Sequence, residues 1–518
     1  MTSEVKDLLF YLTGKTSPES QRVLKLQHAY GCMDDLNQKS FLVNLACSHS
    51  LTIDQSNEII SKSLLLTEKN KSIKDVNNLR NKLIPDYEHI FTNIARENGL
   101  TFLLQLRSDL LDLISNNRKT NNNDNDNLKQ QQLTQNEKDT LIVMETSLRK
   151  QLSQWFSVGF LKLERITYEN TGGGILEKIA RYETVHKVRG LLDLKARLGP
   201  GRRCYALFHP CVPEEPLVFV HVALLPEIAT SMSYIHENSG FQENDKINSQ
   251  NHSQSHLAYE RESKAKAAIF YSINSTQPGL RGVELGNYLI KRVAQTLRGE
   301  LLQLKDFSTL SPIPGFIHWL KSQKLQTKTR QKNNIDNINQ KQFNFISKEN
   351  IKEFNHFYSS HIALKNDIHN QNINDMNEEE VEVELIKKII NIITNHPSII
   401  KELSLSKEHV LSHILTQLSI HYLINEKKQN KKSLSPSSSS QVQEVEYALD
   451  PVTNFHIRNG SMIHQVNWGG DISHNGIKSS SSLMANYLYD LDEIGKNSEN
   501  YETFGIIKCS NNVSKLIQ

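Results

Sequence analysis

Cysteine is scarce in this chain of 518 residues. There are five, Cys32, Cys47, Cys204, Cys211 and Cys509, and none has C-x-x-C spacing. This excludes a disulfide framework and a thiolate metal knuckle, and leaves reduced thiols in an intracellular protein. Long apolar runs are also missing. Stretches such as Leu217 to Leu225 fall far short of a bilayer span, so no membrane-crossing helix is expected. Neither sign of charge dominates. The 60 Lys and Arg against 57 Asp and Glu give a net +3, which argues against a nucleic-acid partner or an anionic membrane surface. Glu4, Lys6 and Asp7 interrupt any secretory signal, and the first arginine is Arg22, unlike an Arg-rich presequence. Ser514-Lys515-Leu516 has the letters of a peroxisomal address, but Ile517 and Gln518 follow it, and we discount it.

What is present is uneven along the chain. Four polar tracts, Asn116 to Gln132, Gln242 to His256, Gln323 to Gln342 and Glu426 to Gln441, are rich in Asn, Gln, Lys or Ser. Too little apolar surface is available there to offset the entropy of ordering, so flexible insertions are expected. Before residue 160, Leu103, Leu106, Leu110 and Leu113 recur at helical spacing, as do Leu141, Met144, Leu148, Leu152 and Trp155. These stripes are packing faces and predict a helical bundle. After about 160 the pattern changes. Cys204 to His209, Leu217 to Leu225 and Ala267 to Asn274 read as strands, and Asn287 to Leu301 as an amphipathic helix. The fold class is therefore α+β, with an all-helical bundle over 1–158 and a mixed α/β domain over 159–518.

Four segments could carry chemistry. The connection Gln277-Pro-Gly-Leu-Arg281-Gly282-Val283-Glu284-Leu285-Gly286-Asn287 joins the strand at 267–274 to the helix. Free amides at a helix start, with glycines that let a phosphate approach, suit a pyrophosphate. A plain connection explains the segment as well. In Phe307-Ser-Thr-Leu-Ser311-Pro-Ile-Pro-Gly-Phe316 two prolines stiffen the backbone beyond a serine. Taken alone, an ordinary turn into a helix at 316–322 is the simpler reading. Asn459-Gly460 predicts a hairpin with His456 near a strand end, and a structural histidine remains the simpler reading for any one of 20. Leu483, Tyr487, Leu491 and Ile494 predict a helix within Ser479 to Ile494, with Tyr487 in the core and Tyr489 on another face. His409 and His413 lie at i, i+4, but no Glu lies between them and no third ligand is indicated, so no metal is expected. No Gly-x-Ser-x-Gly elbow is present, which removes the α/β-hydrolase reading.

Segments 267–316 and 447–508 resemble malonyl-CoA decarboxylase. The stretches that carry the resemblance are AAIFYSIN, GLRGVELG, IKRV, LSPIPGF, NFHIRNG, VNW, SSLMANYLY and NYETFGIIK. RRCYALFHP and PLVFVHVAL extend it upstream, and LQLRSDLL and QWFSVGFLKLERIT do so faintly. The resemblance implies a helical N-terminal domain, serving oligomerisation, followed by an acetyltransferase-like (GNAT-type) catalytic domain with polar inserts near 242–256, 323–342 and 426–441. It implies a lyase that converts malonyl-CoA to acetyl-CoA and carbon dioxide in fatty-acid metabolism. Ser311 and His456 are then the catalytic residues, with Tyr489 ranked below them. Arg281, Gly282, Val283, Glu284, Leu285, Gly286 and Asn287 would hold the CoA phosphates. A homotetramer built from dimers is implied, in the mitochondrial matrix or cytoplasm. No cofactor is expected, because the thioester is itself the electron sink. Ser311 can act as hydrogen-bond donor or as nucleophile. An acyl-CoA acyltransferase of the same fold and a non-catalytic malonyl-CoA sensor remain the alternatives.

Overall fold

The structure is a computed structural model that describes residues 9, 20–51, 56–58, 60–61, 73–120, 133–237, 262–323, 345–362, 378–406, 409–429 and 445–517. The tract at 242–256 lies outside the described residues, as do 121–132, 324–342 and 430–441 of the other three.

The first part of the chain is helical: α1 (Ser20–Gly31), α2 (Asp35–Ser48), α3 (Ile73–Lys82), α4 (Asp86–Arg96), α5 (Leu100–Thr120) and α6 (Gln135–Trp155). The predicted stripes explain why. Leu103, Leu106 and Leu110 of α5 and Leu141, Met144, Leu148 and Leu152 of α6 are buried on facing sides. A capping box between Thr134 and Glu137 satisfies the first amides of α6.

A mixed sheet follows. Its strands and helices run β1 (Lys162–Ile166), α7 (Gly173–Tyr182), α8 (Leu191–Leu198), β2 (Arg202–Phe208), β3 (Val218–Leu225), α9 (Met232–Glu237), β4 (Ala267–Ser275), α10 (Leu285–Glu300), β5 (Asp306–Thr309) and β6 (Ser311–Pro312). Next come α11 over 316–323, α12 (Lys348–His361), α13 (Glu378–Asn395), α14 (Pro397–Leu403) and α15 (Val410–Asn425). The chain closes with β7 (Lys427–Gln429), β8 (Glu446–Ala448), α16 (Pro451–Arg458), β9 (Met462–Asn467), α17 (His474–Ser480), β10 (Met484–Leu488), α18 (Ile494–Phe504) and α19 (Asn511–Lys515).

Eight strands form the main sheet in the order β1-β2-β3-β4-β5-β10, with β6 and β9 also bonded to β10. β6 continues β5 past Leu310, so both meet one edge of β10 while β9 takes the other. Among the described strands of this sheet, β4 and β5 alone form a parallel ladder, through the crossover helix α10. β2 and β3 are buried on both faces, as continuous apolar strands of a covered sheet should be.

Two expectations fail. The Asn459-Gly460 pair does not turn a hairpin. Asp450 caps and Pro451 opens the helix α16, which carries His456 in its last turn. Gly460, at φ 86°, ends it in a Schellman motif: its amide donates to Ile457 O at 2.9 Å, and Ser461 N to His456 O at 3.2 Å. The same dipeptide serves both kinds of turn, and the Asp-Pro start decides between them. The predicted helix over 479–494 is also wrong. α17 stops at Ser480, Ser481 and Ser482 take left-handed conformations, and β10 begins. Burial of every residue from Ser480 to Tyr487 marks a central strand, so spacing by four was a coincidence of an all-buried run. Tyr487 and Tyr489 therefore share a face, since side chains two apart on a strand do so.

Candidate active site

The site grows from one break in the β5–β6 edge. Thr309 and Ser311 are two residues apart in extended chain, so their hydroxyls point the same way. Ser311 Oγ lies 3.0 Å from Thr309 Oγ1. Thr309 Oγ1 also accepts the Tyr487 amide at 3.2 Å, which ties the break to β10. Pro312 and Pro314 bracket Ile313 and hold the chain rigid beyond the serine.

Helix α16 brings His456 to this edge. Nε2 lies 3.2 Å from Ser311 Oγ, and Nδ1 lies 2.7 Å from the Tyr489 hydroxyl. The imidazole stacks on the Tyr487 ring with centroids 4.4 Å apart. Tyr487 is itself held by Thr453, at 2.7 Å between hydroxyls. Ser311, His456 and Tyr489 are 8%, 3% and 2% exposed, so all three are buried. That burial lowers the His456 pKa to about 3, so the ring rests neutral. A neutral ring has two tautomers. With Nδ1 accepting from Tyr489, Nε2–H can donate toward Ser311 and beyond. With Nδ1–H donating to Tyr489, Nε2 can take the serine proton.

A second layer fixes α16. The buried Asp450 carboxylate accepts the amides of Val452 and Thr453 at 3.0 and 2.8 Å, and the Tyr422 hydroxyl at 3.4 Å. Burial raises its pKa, against the pull of those donors. Gly315 is required here, because a β-carbon would meet the Tyr422 hydroxyl at 2.0 Å. Asn486, fully buried, donates to Thr309 O at 2.7 Å and Ala229 O at 3.0 Å, and accepts from Asn467 at 2.6 Å. It pins β10 to the serine edge.

The predicted phosphate turn lies at the end of β4. Arg281, Gly282 and Glu284 are exposed, Val283, Gly286 and Asn287 are partly so, and Leu285 is buried. Gly282 has φ 81°, a conformation that favours glycine. A β-carbon at Gly286 would stand 3.0 Å from the Phe455 ring, so the first turn of α10 abuts the helix that carries His456. Both predicted groups therefore sit beyond the carboxyl ends of the parallel pair β4 and β5, where open α/β sheets bind ligands. His409, by contrast, caps α15 by accepting the Leu411 amide.

Sequence reading overlooked several contributors. Thr309 could have been found as the second hydroxyl on one strand face. Thr453 and Asp450 were hidden by the hairpin reading, and the pairing of Tyr487 with His456 by the helix reading. Arg107 had the plainest signal, a charged residue inside the apolar stripe of α5. It is 1% exposed and reaches the turn itself. Its Nη1 donates to Gly279 O at 2.5 Å and its Nη2 to Arg281 O at 2.7 Å.

Known proteins share this arrangement of chain. Residues 54–156 match the family model for the malonyl-CoA decarboxylase N-terminal domain, and residues 159–518 that for the C-terminal domain. A protein of Anser anser anser named "Malonyl-CoA decarboxylase, mitochondrial" is 32% identical over 476 residues, covering 92% of this chain and 78% of that one. One of the same name from Mus musculus is 32% identical over 505 residues, covering 94% and 83%. The crystal structure of malonyl-CoA decarboxylase from Rhodopseudomonas palustris superposes with a TM-score of 0.67 at 25% identity, over 99% of this chain and 98% of that one. That from Agrobacterium vitis does so with 0.70 at 24% identity, over 100% of each, and shows likeness of fold. With both family models matched in order and the relatives aligned over most of their length, the chain belongs to the malonyl-CoA decarboxylase family.

Proposed function

We propose that this chain decarboxylates malonyl-CoA, with Ser311 and His456 at the reacting acyl group, Tyr489 behind His456, and the turn from Arg281 to Asn287 on the CoA phosphates. The observation that carries the reading is the buried Ser311–His456–Tyr489 line standing beside the N-terminus of α10.

In the reaction the bond between the α-carbon and the carboxylate breaks. Its electron pair passes to the α-carbon and the thioester oxygen, carbon dioxide leaves, and the enolate takes one proton at carbon to give acetyl-CoA. Three tasks fall to the protein. It must hold the breaking bond perpendicular to the thioester plane, bind the developing oxyanion, and deliver the proton. A stiff edge bearing the Ser311 hydroxyl suits the first two. His456 suits the third, with one condition. Neutral at rest, it gains a proton more readily when the malonyl carboxylate lies close, because an opposite charge favours the imidazolium. Tyr489 then accepts from Nδ1 and holds the ring.

The finer fold reading belongs to the same proposal. An acetyltransferase-like domain is supported by the β4–turn–α10–β5 unit with its one parallel pair. A boundary between residues 1–158 and 159–518 is supported by the change from helices to sheet after α6, the two parts sharing one buried apolar cluster. Assembly into a tetramer built from dimers is what the resemblance implies, and light scattering tests it. A mitochondrial setting is supported by the relatives' names, with the cytoplasm as the alternative, and fractionation tests it.

Ser311→Ala and His456→Ala test the site. Each is expected to stay folded and bind CoA while turnover of malonyl-CoA falls at least about a hundredfold. Unchanged turnover in either variant contradicts the assignment. Mass spectrometry of Ser311 during turnover separates its two roles: a malonyl ester makes it a nucleophile, and an unmodified serine a hydrogen-bond donor.

A further inference from the structure

We infer that the helical part of the chain completes the nucleotide end of the substrate site, with Arg107 positioning the phosphate turn and Arg149 adding a cation to it. The inference rests on the proposal that residues 281–287 bind the CoA phosphates.

Arg107 is the first observation. A buried guanidinium costs several kcal/mol unless its donors are met. Here Glu145 of α6 takes Nε at 3.1 Å and Nη2 at 2.7 Å, and the carbonyls of Gly279 and Arg281 take Nη1 and Nη2. Those carbonyls belong to the short helical turn Pro278–Leu280 and the residue after it. The amides of Leu280, Arg281, Val283 and Leu285 bond within the turn, so the donors left for a ligand are those at the start of α10. The approach is close. A β-carbon on Gly279 would stand 2.1 Å from Leu104 O, so α5 touches the turn backbone directly.

Arg149 is the second. It lies one turn beyond Glu145 on α6, on the same face. A β-carbon on Gly282 would meet the Arg149 side chain, with Nη1 at 3.8 Å. Gly282 thus has an exposed guanidinium of the helical part over it and exposed Arg281 beside it. Two guanidinium groups and the amides of a helix start, converging on a backbone without a side chain, match a diphosphate in charge and in donor geometry. The sheet alone supplies one of the two cations.

The test measures CoA affinity by calorimetry, and kcat and KM for malonyl-CoA, on the full-length chain. Arg149→Ala is expected to weaken CoA binding and raise KM by about tenfold or more, with kcat at saturation unchanged. Arg107→Lys, which keeps the charge and loses the fork, is expected to shift the same two quantities in the same direction. Glu145→Gln guards against a fold defect in that variant and is expected to reproduce the shift more weakly. Arg281→Ala reports on the turn itself. If it weakens CoA binding while Arg149→Ala and Arg107→Lys leave Kd and KM at the wild-type values, the helical part has no share in the site and the inference is overturned. If none of the variants changes CoA affinity, the phosphate-turn reading is wrong and the inference falls with it. A fall in kcat alone, with KM unmoved, also overturns it.

Discussion

His456 is a histidine that the fold keeps dry, and its resting charge follows from that. The ring is buried between the serine edge, the Tyr487 face and the Tyr489 hydroxyl, and its pKa falls to about 3. His221, fully buried beside Glu183, Arg197, Arg202, His186 and Tyr271, falls to about 4 for the same first cause. In the unfolded chain both return to roughly 6.5. A group with a depressed cationic pKa binds fewer protons when folded. Its neutral form is therefore compatible with the fold above about pH 6.5, and stability is lost as pH falls below that value toward the folded pKa. Asp450, whose pKa burial raises, works in the opposite direction. Between pH 7 and pH 5 each of the two histidines should cost about 2 kcal/mol of stability. Urea denaturation at the two pH values checks this. His221→Phe, which leaves the Ser311–His456 pair in place, should reduce the acid loss by about 2 kcal/mol, and an unchanged loss would mean that His221 is not held neutral.

At the scale of elements, α16 governs whether that histidine reaches the serine. Asp450 starts the helix and Gly460 stops it, and the helix between them is eight residues long. A β-carbon on Gly460 would stand 2.1 Å from Ile494 O, and the φ of 86° disfavours any side chain. Gly460→Ala is thus expected to destabilise the protein by about 1–3 kcal/mol and to reduce turnover, through a misplaced His456. A thermal midpoint equal to wild type would contradict the role given to this stop. Sequence showed β2, β3, β4 and α10 well, and gave no reading of the helices α12 to α15. β2, β3 and β4 are continuous apolar runs, and α10 keeps its Leu289, Ile290, Val293 and Leu297 stripe. It failed at α16 and β10 for physical reasons. Asn-Gly suits a helix stop as readily as a hairpin, and a strand buried on both faces has no period to read. Ser311, His456 and the turn at 281–287 can all be singled out in sequence. Their partners Thr309, Tyr487 and Asp450 cannot be, because long-range pairing made them partners.

At the scale of the whole molecule, the helical part and the sheet are not separately built. One buried apolar cluster includes Leu104, Leu106 and Leu148 of the helices, Leu280 and Leu285 at the turn, and Phe270, Phe307 and Tyr489 of the sheet. A second lies under α11 to α15 and contains Ile313, Phe316, Ile457 and Tyr487. The Ser311–His456–Tyr489 line falls where the two clusters meet, which fixes it from both sides and keeps water out. Membership of the family and this placement lead to the same reaction. Its most direct test is the fate of malonyl-CoA given to the purified chain with no amine present. The account predicts loss of malonyl-CoA with equal amounts of acetyl-CoA and carbon dioxide formed. Consumption of malonyl-CoA only when an amine acceptor is supplied would contradict it.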